Sequence, residues 1–162
     1  MERVPLAASE APPRIAAQDA RSLRWEWLGV IYARIALGAA FLSAVSSRFG
    51  LWDKTLDLKH FAGFTHYTAQ VLSFFPSPFI LPLAWAATAA ETALGILLIV
   101  GLWPRPVSLV AAVLLAVFGT SMAVSFGLQS PMDYSVFSAS GAALLLSLRA
   151  PGHTAQQSVK SL

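Results

Sequence analysis

Four long apolar stretches dominate the chain, each bounded by charged, aromatic or Pro/Gly-containing segments. They run from about Trp27 to Phe49 (WLGVIYARIALGAAFLSAVSSRF), Phe79 to Leu102 (FILPLAWAATAAETALGILLIVGL), Pro106 to Phe126, and Pro131 to Leu148. A helix needs about 20 residues to cross the hydrocarbon of a bilayer, so the pattern predicts four transmembrane spans, the last shorter and rich in small residues. Arg21, Arg24, Trp25 and Trp27 precede the first span, cations then indoles, as at a membrane interface. WPRP (103–106) and GLQSP (127–131) are tight connections that make consecutive helices antiparallel neighbours.

The segment between spans one and two has a different rhythm. On a helical wheel Lys59, Gly63, His66, Gln70 and Ser73 share one face, while Phe61, Phe64, Thr68, Val71, Leu72 and Phe75 gather opposite. That spacing predicts an amphipathic helix over about 57–75, lying in the membrane interface or capping the bundle and stopped by Pro76 and Pro78. The fold class expected is therefore all-α: an integral membrane four-helix bundle over 25–149 with one additional interfacial helix. Residues 1–24 and 150–162 read as tails, the first of them mobile. The N-terminal stretch does not read as a secretory signal, because the apolar run comes late and no small-residue cleavage site closes it.

Composition agrees with a lipid environment. Hydrophobic residues make up 56% and charged residues 12%, with mean hydropathy +0.64, whereas soluble domains carry about 25% charged residues. The net charge of +3 has no basic stripe interleaved with aromatics behind it, so nucleic acid is not an expected partner. Loop cations account for the charge instead. Arg3, Arg14, Arg21, Arg24, Arg105, Arg149 and Lys160 lie on one side and Arg48, Lys54 and Lys59 on the other, which places both termini in the cytoplasm. The absence of cysteine excludes disulfides, thiol relays, thiolate-bound zinc and cysteine-held iron–sulfur clusters.

Two charges interrupt the spans: Arg34 in the first and Glu91 in the second. A charge at the bilayer centre costs roughly 3 kcal/mol on insertion scales. The two fall at comparable depths on antiparallel helices, so they are expected to pair, either as a helix-locking contact or as the wall of a polar pocket. Arg48, Trp52, Asp53 and Lys54 cluster where span one ends; the cations there either reach the headgroups or line a polar opening with Asp53 facing Arg48 or Lys54. His60 and His66, six positions apart, do not share a helix face, and no metal site is expected. His66 falls on the polar face, and His60 on a flank near Phe64 and Tyr67, able to point into the bundle. Ser130, Pro131 and Asp133 fit the start of the fourth helix, with a capping hydroxyl and an acid at the positive end of the dipole. No nucleotide-binding loop, nucleophile elbow or metalloprotease motif occurs.

These features resemble the DoxX family of small bacterial membrane proteins, with the DoxD and MauE-like proteins as relatives. The matching segments are ARIALGAAFLSAVSSRFGLWDK, ETALGILLIVGLWPR, the Phe118, Met122, Ala123 pattern, and YSVFSASGAALLL. Where many members carry glycine and lysine at the end of span one, this chain reads Ser46-Ser47-Arg48-Phe49. The resemblance implies a four-helix inner-membrane protein, and for some relatives a subunit of a quinone-dependent oxidoreductase. The expected function is thus membrane subunit of a quinone-linked redox complex, with a quinone as the implied cofactor and a redox protein or a second copy as partner. The alternative is a non-catalytic assembly protein whose Arg34–Glu91 pair is structural.

Overall fold

The computed structural model describes residues 13–54 and 57–149, with side chains from Arg24 onward. Among the described residues there are helices and connecting turns, with no strand. The helices are α1 (Pro13–Arg48), α2 (Leu58–Val71), α3 (Ile80–Val100, preceded by a 3-10 turn at Ser77–Phe79), α4 (Pro104–Phe126), α5 (Gln129–Asp133) and α6 (Val136–Arg149).

Three segments, Arg24–Arg48, Ser77–Val100 and Pro104–Phe126, are long and apolar enough to cross a membrane. The fourth apolar stretch departs from expectation. It is not one helix over 131–148: the chain turns at Tyr134–Ser135, where Ser135 has φ 53°, and α6 begins only at Val136. With 14 residues, α6 is about 21 Å long at 1.5 Å per residue, short of a hydrocarbon layer of about 30 Å. The predicted cap also fails. Ser130 lies inside α5, which starts at Gln129 without a side-chain cap, and Asp133 is its exposed last residue.

Two boundaries also shift. Residues 13–24, read as tail, form the first turns of α1. That stretch contains good helix formers and no glycine after Pro13, so nothing interrupts propagation from the span that follows. The tails expected over 1–12 and 150–162 lie outside the described residues. The second shift is in α2, which begins as predicted: the Asp57 side chain accepts a hydrogen bond from the Lys59 backbone N–H (3.0 Å). It ends at Val71 rather than near 75: Leu72, at φ −105° and ψ 39°, leaves the helical region and closes the last turn by donating its N–H to the Thr68 carbonyl. Its faces are as read, with Phe61 and Val71 buried and Lys59, His66 and Gln70 exposed.

Packing joins α1 to α3 and α4 to α6 most extensively. Glycine sets the first pairing. A Cβ on Gly38 would lie 2.8 Å from the Gly95 carbonyl oxygen, and one on Gly95 would lie 3.1 Å from that of Gly38. Backbones this close are the usual gain from small residues where helices associate in lipid. Across the second pair, the Phe137 ring lies over Gly119, and Ser140 Oγ donates to the Ala112 carbonyl (2.8 Å). Leu37, Phe41, Leu94, Leu98 and Ala111 fill the space between the pairs. Val110, Val113, Val117 and Val124 of α4 point outward and exposed, as a lipid-facing surface requires.

Gly38→Leu is expected to force α1 and α3 apart and to lower unfolding stability in detergent by about 1–3 kcal/mol, the usual cost of overpacking. Gly29→Ala, with nothing within 4 Å of the added carbon, should not lower it. Thermal denaturation of the two variants beside the parent checks both.

Candidate functional site: a buried ion pair at the end of an apolar cavity

Glu91 pairs with Arg48, not with Arg34. Arg48 Nη2 lies 2.7 Å from both Glu91 carboxylate oxygens and donates to Oε1. Arg48 Nη1 donates to Thr88 Oγ1 at 2.9 Å, and the guanidinium carbon sits 3.7 Å from the centre of the Phe64 ring. The side chains are 10% and 3% exposed. Thr88 is itself held by donating to the Ala84 carbonyl, 2.8 Å away. The cation thus has a carboxylate, a hydroxyl and an aromatic face, contributed by α3 and α2.

Arg34 does something else. Its Nε donates to the Leu98 carbonyl (3.1 Å) and its Nη2 to that of Ile99 (3.5 Å). A helix leaves its last carbonyls without intrahelical partners. In α3 the Leu97 carbonyl accepts the N–H groups of Gly101 and Leu102, with Gly101 at φ 81°, and Arg34 takes the next two. It caps α3 from a neighbouring helix, at the negative end of the dipole. A Cβ at Gly101 would collide with the guanidinium, so glycine here serves both the left-handed turn and the arginine.

Helix geometry explains the exchange of partners. Side chains tilt toward the N-terminus of their own helix. With Gly38 facing Gly95, Arg34 stands beside the last turn of α3 and tilts away from Glu91. Arg48, at the opposite end of α1, tilts back toward the middle of the bundle, and Glu91 tilts toward it. Matching depths alone suggested Arg34; tilt selects Arg48.

Beside the pair lies an apolar cavity of about 650 Å³, lined by residues of α1, α2, α3, α4 and α6 together with Tyr134. Leu37, Phe41, Phe118 and Met122 supply apolar wall; Arg48, Glu91, His60, Ser47, Tyr67 and Tyr134 supply the polar groups. This volume is within the range of small-molecule sites, which are mostly apolar with a few convergent polar groups. His60 does point into the bundle: it lines the cavity, and its Nε2 lies 3.5 Å from an Asp53 carboxylate oxygen. Asp53 therefore faces His60, not Arg48 or Lys54. Lys54 is exposed in a left-handed turn (φ 55°), and His66 is exposed as expected. Burial, with Tyr134 nearby, raises the Tyr67 phenol above its ordinary pKa, so it remains a hydrogen-bond donor at neutral pH. No cluster of metal-ligating side chains occurs among the described residues.

Sequence reading did not single out Thr88 and Phe64 as partners of Arg48, nor Ser125, whose Oγ donates to the Val71 carbonyl (2.6 Å) and ties the end of α2 to α4. Thr88 sits one turn before Glu91 on the same face, the one signal in the sequence that could have marked it.

The helices and their lipid-facing surfaces define a multi-pass helical membrane protein. The chain belongs to the DoxX family, whose model matches residues 29–124. That match includes Arg34, Arg48, His60 and Glu91. No curated protein and no solved structure matches the chain.

Removing one member of a buried pair costs about 3–5 kcal/mol, whereas an apolar replacement of both is often nearly neutral. Arg48→Met and Glu91→Leu are each expected to destabilise strongly, and the double variant to recover most of the loss. Arg34→Met should combine with Glu91→Leu additively, to within about 0.5 kcal/mol. Denaturant-induced unfolding in detergent, arranged as two double-mutant cycles, reads out both results.

Proposed function

We propose that the chain is the membrane subunit of a quinone-linked redox complex and that the cavity beside Arg48 and Glu91 receives the quinone head. The observation that carries this reading is the cavity's composition: a pocket of about 650 Å³ with apolar walls and polar groups gathered around one buried ion pair. A lipophilic ring with a polar rim fits such a lining better than a sugar, nucleotide or peptide would. Aromatic side chains (Phe41, Phe64, Phe118 and Tyr67) offer faces for a flat ring. Electrons would come from a partner protein, since the chain has no cysteine to hold a cluster. Both termini face the bacterial cytoplasm by the balance of loop cations. α5 and α6 together complete a four-helix bundle in the inner membrane, and α2 lies at the outer interface with its charged face toward water.

The alternative, a non-catalytic assembly protein, draws support from the ion pair itself. Arg48, Thr88 and Glu91 join α1 to α3 whether or not anything enters the cavity.

The protein purified in a mild, lipid-retaining detergent is expected to carry a quinone at about one per chain in solvent extracts. Ala44→Trp, which fills the cavity from α1, should lose it while keeping the same melting temperature to within a few degrees. Parent protein free of quinone, and unable to take up an added short-chain quinone, would overturn the redox reading and leave the assembly one.

A further inference from the structure

We infer that the cavity opens sideways into the bilayer, through a window between α1 and the start of α6, and that it is filled from the lipid by a molecule whose apolar tail stays in that window. This rests on the reading of the cavity as a quinone site. It names the route of entry and makes a long-tailed, lipid-dissolved quinone the ligand class.

The window follows from a difference in helix length. Arg149 Nη1 and Glu26 Oε2 lie 3.6 Å apart, which sets the last residue of α6 level with Glu26 of α1. From there the 14 residues of α6 reach back along α1 only to about the level of Ala39. The end of α1, residues 40–48, runs on uncovered. The other neighbour of α6 gives the same answer. The Phe137 ring, near the start of α6, packs over Gly119, while α4 continues to Phe126, about 10 Å further along its axis. Two registers, on separate helices, thus place the start of α6 short of its neighbours. Helix α5 bridges this step by packing against α4 and α6, and its residues 129–133 contribute nothing to the cavity lining.

Ala40, Ala44 and Ser47 occupy the uncovered part of α1. They fall on one helix face, all three are exposed, and all three line the cavity. Val136 and Ala139 of α6 form the opposite edge. At the end, Gly63 of α2 lines the cavity with nothing within 4 Å of an added carbon. Other seams are shut. Gly38 and Gly95 close α1 on α3, and Ser140 with Ala112 closes α6 on α4. Ser125 with Val71, and the Tyr67 ring stacked on Phe126 at 5.8 Å, hold α2 to α4. Phe61 against Trp85, at 4.1 Å between ring centroids, holds α2 to α3. Residues 40–47 belong to the first span, so acyl chains lie outside the window. A polar solute would have to cross lipid to reach it. A tail in the window exchanges one apolar surrounding for another and gains little affinity; the window lets the tail trail out while the head sits beside Arg48 and Glu91.

The test uses the full chain in lipid nanodiscs, with the saturable part of tryptophan quenching as the signal. The probes are a decyl-substituted benzoquinone and the same head without the chain. Affinity is expressed as the mole fraction of quinone in the lipid at half-saturation, so that partitioning does not enter. The parent is expected to bind the two probes to within roughly threefold of each other, because the tail is apolar-surrounded in either place. Ala40→Phe and Ala139→Phe narrow the window from opposite edges. Each should weaken the decyl probe by about tenfold, the size of an overpacked contact, and leave the head alone bound as in the parent. Ala36→Phe, one turn earlier on α1 and outside the cavity lining, should change neither. Equal losses for both probes in the two window variants, or no loss for either, overturn the window while the quinone site stands. A parent that binds neither probe overturns both.

Discussion

A charged pair within an apolar bundle constrains everything built around it. Glu91 is almost wholly removed from solvent, and a lone carboxylate there would be prohibitively costly. Its partner must approach from a fixed direction, in a fixed register, with its remaining donors satisfied. The Gly38–Gly95 crossing supplies the register, and Thr88 and the Phe64 ring take what Glu91 does not. Because Phe64 belongs to α2, the short helix is drawn into the same arrangement. The polar end of the cavity is thus a by-product of locking α1 to α3, and the aromatic wall a by-product of seating α2.

Much of this was legible in the sequence. Hydropathy located α3, α4 and the C-terminal end of α1 to within a few residues, and the three-and-four spacing in 57–75 identified the buried and exposed faces of α2. It also set His60 on a flank that does reach the bundle. What failed did so for physical reasons. Depth along a span is readable from residue counting, but the direction in which a side chain leans is a property of the helix backbone. Counting therefore matched Glu91 with the wrong arginine. The turn at Ser135 was hidden because a run of apolar and small residues scores the same whether one helix or two carry it. Residues 13–24 were misread because charge and proline content suggested a tail, while helix propensity, cooperatively extended from the span, decided the outcome.

Arg34 and Arg48 of α1 solve the same problem of carrying a cation into lipid, by different means. Arg48 uses a full opposite charge. Arg34 uses the partial negative charge of backbone carbonyls at the end of α3. The former solution ties two helices laterally; the latter seals a helix terminus that would otherwise present bare acceptors at membrane depth.

That difference has an electrical consequence. The Arg48–Glu91 pair has no net charge, so a voltage across the membrane exerts little force on it. Arg34 faces only dipoles, and among the described residues no carboxylate pairs with it. It therefore keeps a whole positive charge inside the field, where full transit of one charge corresponds to about 2.3 kcal/mol per 100 mV. A voltage across the membrane therefore acts on the α1–α3 corner through Arg34, pressing it onto the carbonyls it caps or drawing it off them according to the sign of the field at that end.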